Sequence, residues 1–350
     1  MNEKKEFKKR VYGCVIIKAI NSNYNADFTH QPRTLPDGIV YATDKALKWT
    51  VRNYLVKNYS NEKIFFWKRL NEELNPLSID EIFDKLFSNL SNKRDKNDDK
   101  KNKIKRLQKL LECIDIRLFG ATYADQKNKI NISIHGAVQI NHGLNRFPEN
   151  QIYTEQIMSP FRNPGEQEGS EKAMTTLGSQ SKLREGHYVH HFSINPFNLE
   201  AICNLITNLN EEKNDLISST SIETNNQFPK LTEDDIIKLK EGFLYGATYY
   251  DSASKAGTEN ELLLWVELYE KEKIVLPNFT ELITINRNNE IVNIDLSKVF
   301  ELLENVKEKI DNIEIYYNKL TTTIIGLDKF GNNAKVKKYD LYKFNNIKKD

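Results

Sequence analysis

The sequence predicts an α+β protein on a ferredoxin-like, or RRM-like, βαββαβ plan carrying insertions. Three observations lead there. A β-branched apolar run, VYGCVIIKAINSN (11–23), precedes an amphipathic helix that should start at Thr43-Asp44. Two more strand-like runs follow, DIRLFGATY (115–123) and ISIHGAVQI (132–140), joined by the polar turn DQKNK. HYVHHFSI (187–194), two helices and ELLLWVELYE (261–270) then close the pattern.

Taken in order, 11–23 reads as a buried strand and 24–43, with its prolines and polar residues, as a loop. On the helix that follows, Leu47, Val51, Tyr54 and Leu55 share one face. Lys45, Lys48 and Arg52 fall within about 60° of each other, on a stripe roughly 110° away from it. Residues 60–112 read as a helical insertion with a lysine-rich loop near 91–103. Residues 146–185 are rich in Pro, Gly, Ser, Thr, Gln and Glu and have little to bury, so they form either a disordered loop or an arm that leaves the domain. Helices are expected at 195–209 and at 231–250, the latter capped by Thr232. Alternation of Leu264, Val266 and Leu268 with Trp265, Glu267 and Tyr269 favours a strand at 261–270. The C-terminal part offers short strands (IVNIDL, IEIYY, TTIIGL) and a helix at 297–310.

The 350 residues are 39% hydrophobic and 29% charged, which supports a sizeable core and argues against global disorder. No apolar run approaches a membrane span, and the basic N-terminus lacks the apolar stretch of a secretory signal. Three well-separated cysteines, Cys14, Cys113 and Cys203, exclude a disulfide framework and fit a reducing cytoplasm. Net charge is only +2, but it is unevenly placed. Residues 1–10 carry a local +3, 93–109 a local +6 and 328–350 a local +4, whereas 210–241 hold eight acidic against four basic residues. Such clustering suits a polyanion-binding face; lysine-rich solvated loops would give the same pattern.

Catalytic signatures are lacking. There is no phosphate-binding G-x-x-x-x-G-K-[ST] loop, no G-x-S-x-G elbow and no H-E-x-x-H. Five histidines (His135, His142, His187, His190, His191) lie within 57 residues, but no carboxylate sits at a familiar metal-ligand spacing. On a strand, His187 and His191 would point to one face and His190 to the other. No cofactor is implied. The loop after the first strand offers Asn21, Asn23, Arg33 and the Thr43 hydroxyl, and the helix adds Lys45, Lys48, Arg52 and its N-terminal dipole. These groups could hold phosphates or simply form a solvated helix face. The arm carries Met158, Phe161, Met174 and Leu177. They could dock the arm on protein or wedge between stacked bases.

These stretches, taken together, resemble the backbone subunit of type I CRISPR Cascade complexes, a RAMP-superfamily protein, most closely the type I-B form. The similar segments run in order: the first strand with Asn21 and Asn23; YATDKALKWTVRNYL (41–55); DIRLFGATY (115–123), similar to a D-x-R-x-F-G strand; HGAVQI (135–140), with Ala137 where proline is usual; TTLGSQSKLREGHYVHHFSINP (175–196); and AGTENELLLWVELYE (256–270). The likeness covers roughly residues 8–270.

What the resemblance implies is a right-hand shape. The palm would comprise 8–57, 114–145 and 187–280, the helical fingers 58–113, the thumb arm 146–186, and 281–350 a C-terminal elaboration of the palm. Copies would stack in a helical filament along a CRISPR RNA in the cytoplasm, beside a large subunit, a guide-end capping subunit and a guide-processing subunit. Target DNA would be met through the guide, with base pairing reading the sequence. The carried-over RNA contacts are Asn21, Asn23, Arg33, Thr43, Lys45, Lys48 and Arg52, then Arg117, Phe119, Gln139 and Arg184, with Met174 as the thumb wedge. Related type III subunits cut RNA with a thumb-side aspartate. Residues 146–186 contain no Asp, which argues against carrying that nuclease activity over, and the expectation is a subunit that is not an enzyme. The alternatives from the residues alone are a metal-dependent ribonuclease built on the histidine-rich strands, or a single-copy RNA-binding module.

Overall fold

The opening apolar run folds as β1 (Val11–Ser22), and its side chains alternate between two cores. Val11, Val15, Ile17 and Ala19 enter one; Tyr12, Cys14 and Ile16 enter the other. A strand buried on both faces reads as a continuous apolar run, which is how this segment appears in the sequence. The computed structural model describes residues 5–87, 99–125, 130–158, 177–204, 230–331 and 333–344.

Next in chain order come β2 (Tyr41–Ala42), α1 (Asp44–Asn58), α2 (Ile79–Leu86), α3 (Asp99–Leu111) and α4 (Ile114–Phe119). The short strands β3 (Ala121–Asp125), β4 (Ile130–Ile134), β5 (Val138–Ile140) and β6 (Gly143–Asn145) follow. Then come β7 (Ile152–Met158), β8 (Leu177–Ile194), a helix α5 described over 197–204, α6 (Glu233–Tyr245) and β9 (Thr258–Leu268). The C-terminal part supplies β10 (Thr284–Asn288), β11 (Ile291–Asp295), α7 (Ser297–Glu304), β12 (Ile310–Tyr317), β13 (Thr322–Ile325) and β14 (Val336–Asp340).

Among the described residues the main sheet runs β14-β12-β9-β1-β8-β6-β2, with β5 and β7 also paired to β8. β1 is antiparallel to both neighbours, placing Val15 opposite His190 on β8 and Leu263 on β9. One face is covered by α1 and α6, through Leu47, Val51 and Leu55 against the same core as Leu239, Phe243 and Leu244. The other is covered by α7 and the β10-β11-β13 sheet. Both main helices start where the sequence places them. Thr43 caps α1 by accepting from the Ala46 amide, and Thr232 caps α6 in a full capping box with Asp235.

Residues 115–119 are helical, not a strand. The cause is tertiary. Asp115 is wholly buried and accepts from the Phe65 amide at 2.8 Å, the Phe66 amide at 3.0 Å and Arg52 Nε at 3.0 Å. Gly120 ends the helix at φ 76°, and a Cβ there would come within 2.3 Å of the Ile134 carbonyl oxygen. The run 132–140 is not one strand either. Its first half pairs with β3 in a separate two-stranded sheet, and after His135-Gly136-Ala137 its second half joins β8.

The arm, where described, is a two-stranded ribbon rather than a structureless loop. β7 pairs with the first part of β8, from Ile152 opposite Leu183 to Met158 opposite Leu177. Ile152, Ile157 and Met158 are 37%, 48% and 61% exposed, so the ribbon has no core of its own. Met174 and Phe161 lie outside the described residues, as do 205–209 and much of the lysine-rich loop near 91–103. The strands β10 and β14 are additions that the sequence reading lacks.

Candidate nucleic-acid interface

The loop after β1 and the start of α1 are fastened by Asn25. Its Oδ1 accepts from the Thr43 amide at 2.9 Å and from the Thr43 hydroxyl at 3.1 Å. The Thr43 hydroxyl also accepts from the Ala46 amide. Its proton is thus committed, and toward an anion Thr43 offers its place at the helix start rather than a free donor.

A third segment comes in from far along the chain. Gly257, at φ 94°, lets the turn before β9 lie against the end of β1, where a Cβ would sit 2.2 Å from the Ile20 carbonyl oxygen. This places Lys255 beside the loop, its Nζ donating to the Asn23 carbonyl at 2.5 Å and the Tyr24 carbonyl at 2.9 Å. Burial pushes the Lys255 amine down to about 8. The three segments enclose a cleft of about 370 Å³ with Arg33, Thr43, Lys45 and Lys255 among its lining, walled by Tyr24, Trp49 and Tyr250. Among the described residues no carboxylate lines it. Arg33 Nε is buried there without a partner among the described residues.

The stripe of three cations on α1 is present, but all three are paired within the chain, and the side chains of two of them are covered. Lys48 pairs with Asp44 at 3.1 Å, its side chain 14% exposed, and lies over the Phe119 ring. Arg52 is held by buried Asp115 and lies over Phe66 and Phe119. Lys45 also pairs with Asp44, at 2.8 Å, yet its side chain is 78% exposed. Only the lysine end of this pair is solvated, and Asp44 keeps Lys48 as a second partner, so Lys45 can turn toward a phosphate without leaving the carboxylate unpaired. The sequence reading overlooked Asp44 as a competitor. Burial disfavours its charge, but Lys45 and Lys48 outweigh that and lower its pKa.

The other candidates divide. Asn21, at φ 48° and exposed, is skipped in the β1–β8 register and accepts a hydrogen bond from the Tyr153 hydroxyl, tying β1 to the ribbon. Asn23 is buried and donates to the His30 and Ser181 carbonyls. Arg184 is exposed on the ribbon beside Gln151. Gln139 is exposed on β5, donating to the Gly136 carbonyl. Arg117 is not available to RNA. It is buried at 5% exposure, forked onto Asp235 at 2.6 and 3.0 Å, and donates to two carbonyls besides. Phe119 is buried beneath Lys48 and Arg52. Lys255, Asn25, Trp49 and Tyr250 are the cleft residues that sequence reasoning missed. The repeated N-x-N-x-N of Asn21, Asn23 and Asn25 was a usable signal for one of them.

The histidines on β8 alternate between faces, as their spacing predicts. His187 is buried between Glu261 (2.5 Å) and Glu185 (3.0 Å). Burial opposes its charge, but the two carboxylates prevail and push the ring up to about 9. His190 and His191 are pushed down to about 4 by burial. Among the described residues no three His, Cys, Asp or Glu side chains converge as a metal site requires. No described helix is long and apolar enough to cross a membrane.

The sequence profile of the family described as CRISPR-associated protein Cas7 matches residues 9–311. The chain belongs to the Cas7 family. The matched span of this Cas7 protein takes in β1, both sides of the cleft and the ribbon. A solved chain described as "CRISPR RNA-guided surveillance complex, pre-nicking" shares its α+β fold, with a TM-score of 0.52 at 12% identity over 97% of this chain and 98% of that one. A second, described as "CRISPR RNA-guided surveillance complex", covers 95% of this chain and 98% of its own at 13% identity, with a TM-score of 0.46. No curated protein matches in sequence.

Proposed function

We propose that this Cas7 protein is the RNA-binding backbone subunit of a type I, I-B-like Cascade complex, polymerising along a guide RNA in the cytoplasm without catalysing a reaction. The observation that carries this is the cleft at the start of α1, with no carboxylate in its described lining, where Arg33, Lys45 and Lys255 lie beside a helix N-terminus. Such groups bind sugar-phosphate and leave the bases to pair, which suits a subunit that must accept any guide.

The antiparallel strand order β9-β1-β8-β6, with α1 and α6 packed on one face, supports a ferredoxin-like palm. In this reading α2 and α3 belong to the fingers, and the exposed β7–β8 ribbon is the root of the thumb that reaches a neighbouring copy. Target DNA, the large subunit and the guide-end subunits are the remaining partners.

Mass measurement on single-stranded RNAs of increasing length tests the reading. The number of bound copies should rise in steps with length. One copy at every length would rule out a backbone role.

A further inference from the structure

Beside the cationic cleft lies a second, larger groove of about 1030 Å³, and Trp49 and Tyr250 line both. Its wall includes Trp67, Tyr54, Tyr245 and Tyr249. The rings are held in a fixed arrangement. Trp49 stacks on Trp67 at 5.7 Å between centroids and 28° between planes, and Tyr250 meets Trp49 edge-on at 4.2 Å. Trp49, Trp67 and Tyr250 are each only half-buried. Aromatic side chains normally fill a core, and here the core beneath α1 is already built from Leu47, Val51 and Leu55.

We propose that this groove is a base-stacking platform for the single-stranded RNA whose backbone the cleft holds, with Trp49 at the junction. The proposal rests on the RNA-binding reading above. Two features select RNA as the occupant. The groove shares Trp49 and Tyr250 with a cleft whose described lining holds cations and no carboxylate, so a strand held there by its phosphates has its bases beside those two rings. Its own charged lining is balanced, Lys57 against Asp251, which suits the neutral, flat faces of bases. Stacking of this kind tolerates any sequence, as every base has a π-face.

The chain holds three tryptophans, and the third, Trp265, is fully buried in the main sheet. Trp265 therefore adds a constant background, and a change in tryptophan emission on adding RNA reports on Trp49 and Trp67. Titration with a single-stranded RNA of arbitrary sequence should quench it. Trp49→Leu should weaken RNA binding about tenfold and leave the salt dependence unchanged, because stacking releases no counterions. Trp49→Phe keeps a ring and should restore most of the affinity. RNA binding without quenching, with Trp49→Leu neutral, would overturn the groove assignment and leave the RNA-binding reading standing. Emission that instead changes with protein concentration in the absence of RNA would assign the groove to a second copy and overturn it. No RNA binding by any measure would overturn both readings.

Discussion

Arg52 and Asp115 are joined between α1 and α4, with Arg52 Nε donating to Asp115 Oδ2 at 3.0 Å while the Asp115 side chain is wholly buried. The same carboxylate holds the Phe65 and Phe66 amides. Arg52 is thus a structural cation, and its removal leaves a buried charge short of one partner. Arg52→Ala should destabilise the protein by about 2–3 kcal/mol in denaturant titration and leave RNA affinity per folded molecule unchanged. A loss of affinity with no loss of stability would return Arg52 to the cations that contact RNA.

Lys45 is the opposite case. It is exposed and only loosely tied to Asp44. Lys45→Ala should weaken binding to all RNA sequences alike and make the slope of log affinity against log salt shallower by about 0.7, the share of one phosphate on a single strand. Lys48→Ala should change that slope little, since its amine is covered.

Lys255 gives the cleft a pH response. Its charge is present below a pKa of about 8 and lost above it. Phosphate favours the charged amine, so RNA affinity should be full at pH 7 and fall as pH rises through 8. Loss of the contact amounts to about tenfold, the worth of one charge-assisted hydrogen bond. Lys255→Arg, which stays charged, should flatten the profile measured by fluorescence anisotropy.

His187 links folding to pH in a defined direction. Its pKa is raised from 6.5 to about 9 on folding by Glu261 and Glu185, which overcome the effect of burial. The unfolded ring therefore loses its proton first. The stability it contributes is full below pH 6.5 and declines up to pH 9, by on the order of 3 kcal/mol. His190 and His191 act oppositely, since their lowered pKa values cost stability as pH falls from 6.5 toward 4. Urea titrations of wild type and His187→Gln from pH 6 to 9 should converge at the alkaline end. A constant gap would show that the ring is not charged in the fold.

Local signals explain what was legible in the sequence. Thr43 and Thr232 announce their helices because a cap acts within three residues. β1 is readable because burial on both faces demands an unbroken apolar run, and β9 because its residues alternate. The failures come from contacts between distant segments. Nothing near Asp115 says that its carboxylate will meet the 65–66 amides and Arg52, so a strand-like composition was overridden by a buried anchor. The same holds for the site. Lys45 and Arg33 were visible from their helix and loop, whereas Lys255 reaches the cleft only because the turn at Gly257 packs against the end of β1. Nothing near Arg117 in the chain announces the partner that buries it, Asp235 on α6.

The most direct measurement is a density map of the protein assembled on single-stranded RNA. It should show successive copies along one strand, with Arg33, Lys45 and Lys255 of each copy against phosphate oxygens and each ribbon laid toward its neighbour. A map in which that cleft faces open solvent, or is covered by protein while the RNA runs elsewhere, would contradict the account.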